Sequence, residues 1–141
     1  MTLENQFKIG SLHVEVFDLN EFRGLVRSAH ERLIDSQIAS LSYSSRFDLA
    51  YNAAHGFALA ALRASGYRTD KRYMVFQCLV HTVAIKASKV RIFSLCHERR
   101  NLAEYEGHME PDEPLLAELI ECSIQLEGLI KHPPSQSSQT E

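Results

Sequence analysis

The feature that most constrains the fold is an alanine-rich segment, which has seven alanines among the residues from Phe47 to Ala64. Alanine has the highest intrinsic helix propensity, and its small side chain lets a second helix approach closely. Gly66 follows this run, as is typical of a helix that ends in a left-handed cap. The segment is therefore predicted to be a helix that packs tightly against a neighbouring helix.

Apolar side chains recur every three to four residues in four further segments, which predicts an all-α protein. An unbroken helix of about 35 residues would be unusually long, so we place a break near Ser88. Pro114 suits the first turn of the last helix, and Pro133 ends it. We expect an up-and-down bundle of four to five helices, with the second to fifth forming the main core. Beside the alanine-rich helix, the predicted segments are about 18–40, 69–87, 88–105 and 112–132.

The two ends of the chain lack this helical spacing. Apolar and polar residues alternate over 12–16, as in an extended strand, but no partner strand is evident elsewhere. Residues 1–17 are therefore predicted to be an irregular N-terminal arm, and residues 18–132 to form the bundle. Residues 133–141 begin with two prolines and continue with polar side chains, so we expect a disordered tail.

Charge is unevenly distributed along the chain, whose net charge is −3. Residues 46–100 carry ten lysines and arginines against three acids, whereas residues 104–141 carry nine acids against one lysine. A basic segment can contact phosphates in an acidic chain, because attraction at contact range follows the local potential. The alternative is that the two regions neutralise each other between packed helices or across a dimer.

Other sequence features favour a reducing, aqueous compartment and give no sign of a bound metal. No apolar run is long enough to cross a membrane, and no basic-then-apolar leader is visible, so we expect a cytoplasmic protein. Cys78 lies three residues before His81, and Cys96 precedes His97, but a compact zinc-knuckle spacing is missing. Core packing of the cysteines is favoured, and neither metal nor cofactor is expected.

A polar group of residues lies near the end of the fourth predicted helix: Arg99, Arg100, Asn101 and Tyr105. The planar guanidinium presents a fork of donors that matches phosphate oxygens, so Arg99 and Arg100 are predicted to contact phosphate. The alternative at Arg100 is a surface ion pair with Glu104, four residues further on, worth only about 0.3–0.5 kcal/mol.

This polar segment resembles the signature of HEPN domains, small helical bundles of nucleotide-binding and RNA-processing systems. The stretch 47–56, with its Ala50-Tyr51 pair, is similar to the second-helix pattern of that family. Catalytic members carry a histidine after the arginine, with four to six residues between the two, whereas Tyr105 occupies that position here. The resemblance covers roughly residues 19–130 and implies a symmetric homodimer that joins two copies of the motif in one groove. An alanine-rich helix face would suit such close pairing.

The resemblance implies a nucleic-acid or nucleotide-associated protein in which Arg100, Asn101 and Tyr105 bind phosphate without efficient cleavage. Such proteins often work beside a small nucleotidyltransferase, including in toxin–antitoxin pairs. One alternative is a metal-independent endoribonuclease that uses Arg100 with Tyr105 or with His108, the latter only where the chain folds back after Gly107. A further alternative is a structural bundle that recruits another protein through its apolar helix faces.

Overall fold

The computed structural model of the chain describes residues 2–8, 10 and 12–130, and most of them are helical. The prediction of an all-α helical bundle is confirmed. No helix within these residues has the length and apolar character needed to span a membrane. In chain order the elements are α1 (Leu3–Lys8), β1 (His13–Val14), α2 (Leu19–Ser36), α3 (Tyr43–Ala64), β2 (Tyr67–Arg68), α4 (Arg72–Gln77), α5 (Leu79–Thr82), α6 (Ala87–Glu106) and α7 (Glu113–Ile130).

Side-chain caps and glycines set the ends of the long helices. Asp18 accepts a 2.8 Å hydrogen bond from the Asn20 amide at the start of α2, and Asp112 accepts one of 3.1 Å from the Leu115 amide in α7. These caps satisfy amide groups that have no partner within the helix. Gly107 ends α6 with a φ of +87°, a left-handed conformation that glycine adopts without strain.

Helix α3 forms the centre of the molecule and packs most extensively against α2, then against α7. A Cβ added at Gly56 would lie 3.1 Å from the Cβ of Ala29, so the two helices touch closely at that point. The prediction of a close helix neighbour for the alanine-rich segment is confirmed. The expectation that the second to fifth predicted helices form the main core was incomplete, because α2 buries Phe22, Ala29 and Leu33 in the same core.

The predicted third helix, about 69–87, is wrong as a single element. The structure divides it into α4 and α5, and the chain then turns at Ala84, whose φ is +54°. Cys78 itself keeps a right-handed helical conformation, and Phe76 and Leu79, three residues apart, are buried on either side of it. Apolar spacing is the same for one helix or two, so the sequence pattern could not reveal the interruption.

The N-terminal arm, predicted to be irregular, contains α1 and a strand. Strand β1 pairs antiparallel with β2, so that His13 lies opposite Arg68. Arg63 of α3, only 5% exposed, fixes the arm by donating from Nη2 to the Val16 carbonyl at 2.8 Å. A two-residue partner strand is too short to produce a periodic pattern, which explains why the sequence did not reveal it. The prediction for residues 133–141 lies outside the described residues.

Candidate phosphate-binding site

A polar cluster surrounds Tyr51 where α3, α4 and α6 meet. The Tyr51 side chain is fully buried, and its ring packs edge-on against Phe76 at a centroid distance of 5.8 Å. Its Oη lies 2.8 Å from Nδ1 of His97, which is on α6. We call the group formed by Tyr51, His55, Arg72, His97 and Arg100 the Tyr51 cluster.

Two guanidinium groups lie against the Tyr51 ring. The Cζ atoms of Arg72 and Arg100 are 5.9 and 5.2 Å from the ring centroid, distances at which a cation is attracted to an aromatic ring. Arg72 begins α4 and donates weakly to Oδ1 of Asn52 at 3.4 Å. Two permanent positive charges are therefore held around one buried ring.

The two arginines differ in how far their charge is neutralised. Arg100 pairs with Glu104 at 3.1 Å and lies 3.9 Å from a carboxylate oxygen of Asp48, so the ion pair considered from the sequence does form. Its Nε is buried and has no hydrogen-bond acceptor among the described residues. Arg72 has no carboxylate within 4.0 Å in the described part of the chain. Arg72 is thus the cation of the pair that is available to an external anion.

The two histidines of the cluster are neutral at pH 7. Burial lowers the pKa of His55 to about 4, and the nearby charges of Arg72 and Arg100 act in the same direction. Burial also lowers the pKa of His97, again with a contribution from both arginines. Neither histidine adds a positive charge near neutral pH, so the positive electrostatic potential of the cluster comes from the two arginines.

A short hydrogen-bond chain links the buried phenol to the protein surface. Nδ2 of Asn101 lies 3.1 Å from Nε2 of His97, on the ring edge opposite Tyr51. An amide nitrogen can only donate, so Nε2 accepts, and Nδ1 carries the proton and donates to the Tyr51 oxygen. This chain fixes the orientation of His97 and places the exposed Asn101 amide at the mouth of the cluster.

The residues predicted from the sequence do not form one site within the subunit. Arg100 and Asn101 belong to the cluster and its mouth. Arg99 instead pairs with Asp112 at 3.4 Å, the residue that caps α7, and therefore joins two helices. Tyr105 is 92% exposed and, five residues after Arg100 on the same helix, points in a different direction.

His108 does approach Arg100, because Gly107 turns the chain back after α6. Both side chains line an open groove of about 380 Å³, together with Asp48 and Glu104. A hydrogen bond of 2.9 Å to Glu110 raises the pKa of His108. The carboxylates around this groove make its potential less favourable for phosphate than that near Arg72.

Sequence reasoning did not join Arg72 and His97 to Arg100 in one site, and it assigned Tyr51 and His55 to structure. The signal available was spacing: His97 and Arg100 are three residues apart, and Tyr51 and His55 four, so each pair shares a helix face. The convergence of α4 on these faces is a tertiary contact that no local pattern contains.

About half of the lysines and arginines in the basic segment, residues 46–100, form ion pairs. Arg46 lies 3.9 Å from Glu113, and Arg99 contacts Asp112, so the basic and acidic regions partly neutralise each other between helices. Among the described residues, five cations from residues 46–100 have no carboxylate within 4.0 Å, and all lie on α4, α6 or the residue before each helix. They are Lys71, Arg72, Lys86, Lys89 and Arg91.

Two searches give no further assignment. Across residues 2–8, 10 and 12–130, histidine, cysteine and acidic side chains do not gather in any group of three or more that could hold a metal ion. Comparison of this chain with protein-family models, curated proteins and solved structures finds no match.

Proposed function

We propose that this protein binds phosphate groups of RNA or a nucleotide between Arg72 and Arg100, as a HEPN-like, non-cleaving component. One observation carries the proposal: two guanidinium groups lie within 6 Å of the same buried ring, and one of them has no carboxylate partner among the described residues. Packing against Tyr51 orders both side chains before a ligand arrives, which reduces the entropy lost on binding. A phosphate oxygen would provide an anionic acceptor for Arg72, whose hydrogen bond to Asn52 is weak.

The biological setting is proposed from the resemblance and from the cysteines. HEPN-like bundles often act beside a small nucleotidyltransferase, and we propose a toxin–antitoxin-type pairing of that kind. The three free, buried thiols suit a reducing compartment, which supports a cytoplasmic location.

RNA binding that depends on the cluster arginines tests this function. We expect the double variant Arg72→Gln, Arg100→Gln to bind a labelled RNA about 100-fold more weakly, since hydrogen bonds to charged groups contribute about 1.5–3 kcal/mol each. Affinity should also fall as salt rises, with a shallower salt slope in the variant. Fluorescence anisotropy at several salt concentrations measures both quantities.

Arg99→Gln is the matched control, because its guanidinium pairs with Asp112 outside the cluster. We expect its affinity to stay near that of the wild type. Equal weakening by Arg99→Gln and the double variant would move the phosphate site elsewhere. Absence of RNA and nucleotide binding by the wild type would instead favour the structural interaction bundle.

We also propose a two-fold homodimer formed through a stripe on α6. The alanine face of α3 is buried within the subunit, so it cannot form this contact. The stripe has the 4-3-4-3 spacing of a helix–helix seam, and all its residues are exposed. It consists of Arg91, Leu95, Glu98, Leu102 and Tyr105.

The stripe is self-complementary in an antiparallel arrangement. A two-fold axis between residues 98 and 99 sets Leu95 opposite Leu102 of the second copy, and it sets Arg91 opposite Glu106, the residue that follows the stripe. Apolar groups then face apolar groups, and opposite charges face each other, as an isologous interface requires. Tyr105 would lie within this interface, about one turn from Asn101 at the mouth of its own cluster.

Light scattering at high micromolar concentration is expected to give twice the subunit mass. Leu102→Glu should shift the mass toward the monomer, because it puts like charges into the seam and removes an apolar contact. The control is Ile34→Glu, an equally exposed apolar position on α2. A monomeric wild type would contradict the dimer without affecting the phosphate site.

The shared groove of Arg100 and His108 favours endoribonuclease activity as a second candidate function. Arg100 would stabilise the developing phosphate charge, and His108 would take the proton of the attacking 2′-hydroxyl. As the O2′–P bond forms, the P–O5′ bond breaks and the leaving 5′-oxygen takes up a proton. Metal-free cleavage of RNA by the wild type, abolished by His108→Ala, is the expected result of that mechanism. Intact RNA after prolonged incubation with pure protein, under conditions where binding is measured, would exclude it.

A further inference from the structure

An exposed aromatic side chain lies directly after the available cation of the Tyr51 cluster. Tyr73 is 46% exposed, whereas the three residues that follow it, Met74 to Phe76, are all buried. The buried residues attach α4 to the core. Arg72 and Tyr73 are the exposed side chains in the first turn of α4.

Contacts between α4 and α6 show that the two helices run antiparallel. Phe76 stacks on Phe93 with centroids 5.3 Å apart, and Gln77 donates to Ser94 at 2.9 Å. At the other end of α4, Arg72 shares the Tyr51 ring with Arg100. Positions nearer the N-terminus of α4 therefore lie beside positions nearer the C-terminus of α6.

This arrangement places Tyr73 beside the mouth of the cluster. Tyr73 is four residues before Gln77 and so lies on the same face of α4, the face turned toward α6. On the same face of α6, His97 lies about one turn beyond Ser94 and Asn101 about two turns beyond it. An exposed ring, an exposed amide and the Arg72 guanidinium thus surround a single patch of surface.

We infer that Tyr73 stacks on an unpaired base whose phosphate is held by Arg72 and Arg100, so that the site takes single-stranded RNA in preference to a duplex. The inference rests on the proposed phosphate-binding function. Stacking on an aromatic side chain requires a base face that is free of its neighbours, and a duplex does not offer one. Arginine alone would bind the backbone of either form.

The test compares wild type, Tyr73→Ala and Tyr73→Phe for binding of a labelled eight-nucleotide oligoadenylate and of a labelled RNA duplex. We expect Tyr73→Ala to weaken single-strand binding about tenfold, and Tyr73→Phe to stay near the wild type because the ring is retained. Duplex affinity should be lower than single-strand affinity in the wild type and unchanged by Tyr73→Ala. The salt slope should be the same in all three proteins, since no charge is altered.

Failure of the inference is separable from failure of the phosphate site. Unchanged single-strand affinity in Tyr73→Ala, with binding still lost in the Arg72→Gln, Arg100→Gln variant, would overturn the stacking role and leave the phosphate site in place. Equal weakening of single-strand and duplex binding by Tyr73→Ala would also overturn it. No binding of either RNA or of a nucleotide by the wild type would overturn both proposals.

Discussion

Replacement of Phe76 by alanine is expected to lower the free energy of unfolding by about 3–5 kcal/mol, the usual range for removing a buried aromatic ring. Phe76 is fully buried and contacts three other rings, at centroid distances of 5.8 Å to Tyr51, 5.9 Å to His55 and 5.3 Å to Phe93. Its loss would leave a cavity beneath the Tyr51 cluster. Urea denaturation at pH 7, followed by circular dichroism, measures the change.

The control is Ile34→Ala, a truncation on α2 at a side chain that is 52% exposed. Its free energy of unfolding should stay within about 0.5 kcal/mol of the wild type, as for most surface substitutions. A change below about 1 kcal/mol in Phe76→Ala would contradict the packing of α4 between α3 and α6.

Acidification is expected to destabilise the protein between pH 6.5 and 4 through His55. Its pKa is about 4 in the folded protein against an ordinary value of 6.5, because burial and the adjacent arginines oppose protonation. The unfolded chain therefore binds a proton more readily than the folded protein does. The free energy of unfolding has its full value above pH 6.5 and decreases as pH falls toward 4. The His55 contribution to this loss approaches about 3 kcal/mol at pH 4. His97, whose pKa is also lowered, acts in the same direction.

Urea denaturation at a series of pH values, on wild type and His55→Asn, isolates this contribution. The variant has no imidazole to protonate at this position, so its free energy of unfolding should fall less steeply between pH 6.5 and 4. Parallel curves for the two proteins would show that His55 is not held neutral by its surroundings. Circular dichroism at pH 7 establishes that the variant is folded before the comparison is made.

The long helices could be predicted because their determinants are local. The alanines of α3, the Asp18 cap of α2 and the glycine that ends α6 act within a few residues of each position. The interruption at Cys78 could not be predicted in this way, since continuous helical spacing is compatible with one helix or two.

The candidate site was predicted only in part, for a related reason. The chemistry of Arg100 and Asn101 is visible in their residue types. The sequence contains no information on which cation remains without a carboxylate partner. Arg99 and Arg100 are adjacent and chemically identical, yet one contacts Asp112 and the other lies over Tyr51. Their different partners depend on the position of α7 and α3 around α6.

The sequence by itself determined that this chain forms amphipathic helices, where most of them begin and end, and which segment carries excess positive charge. Helix propensity, capping and periodicity are properties of neighbouring residues, so one chain suffices to read them. Only the tertiary structure brought Arg72 to Tyr51, which lies 21 positions earlier in the chain, and paired β1 with β2. These contacts arise from how the apolar faces pack together, and packing joins residues that no local pattern relates.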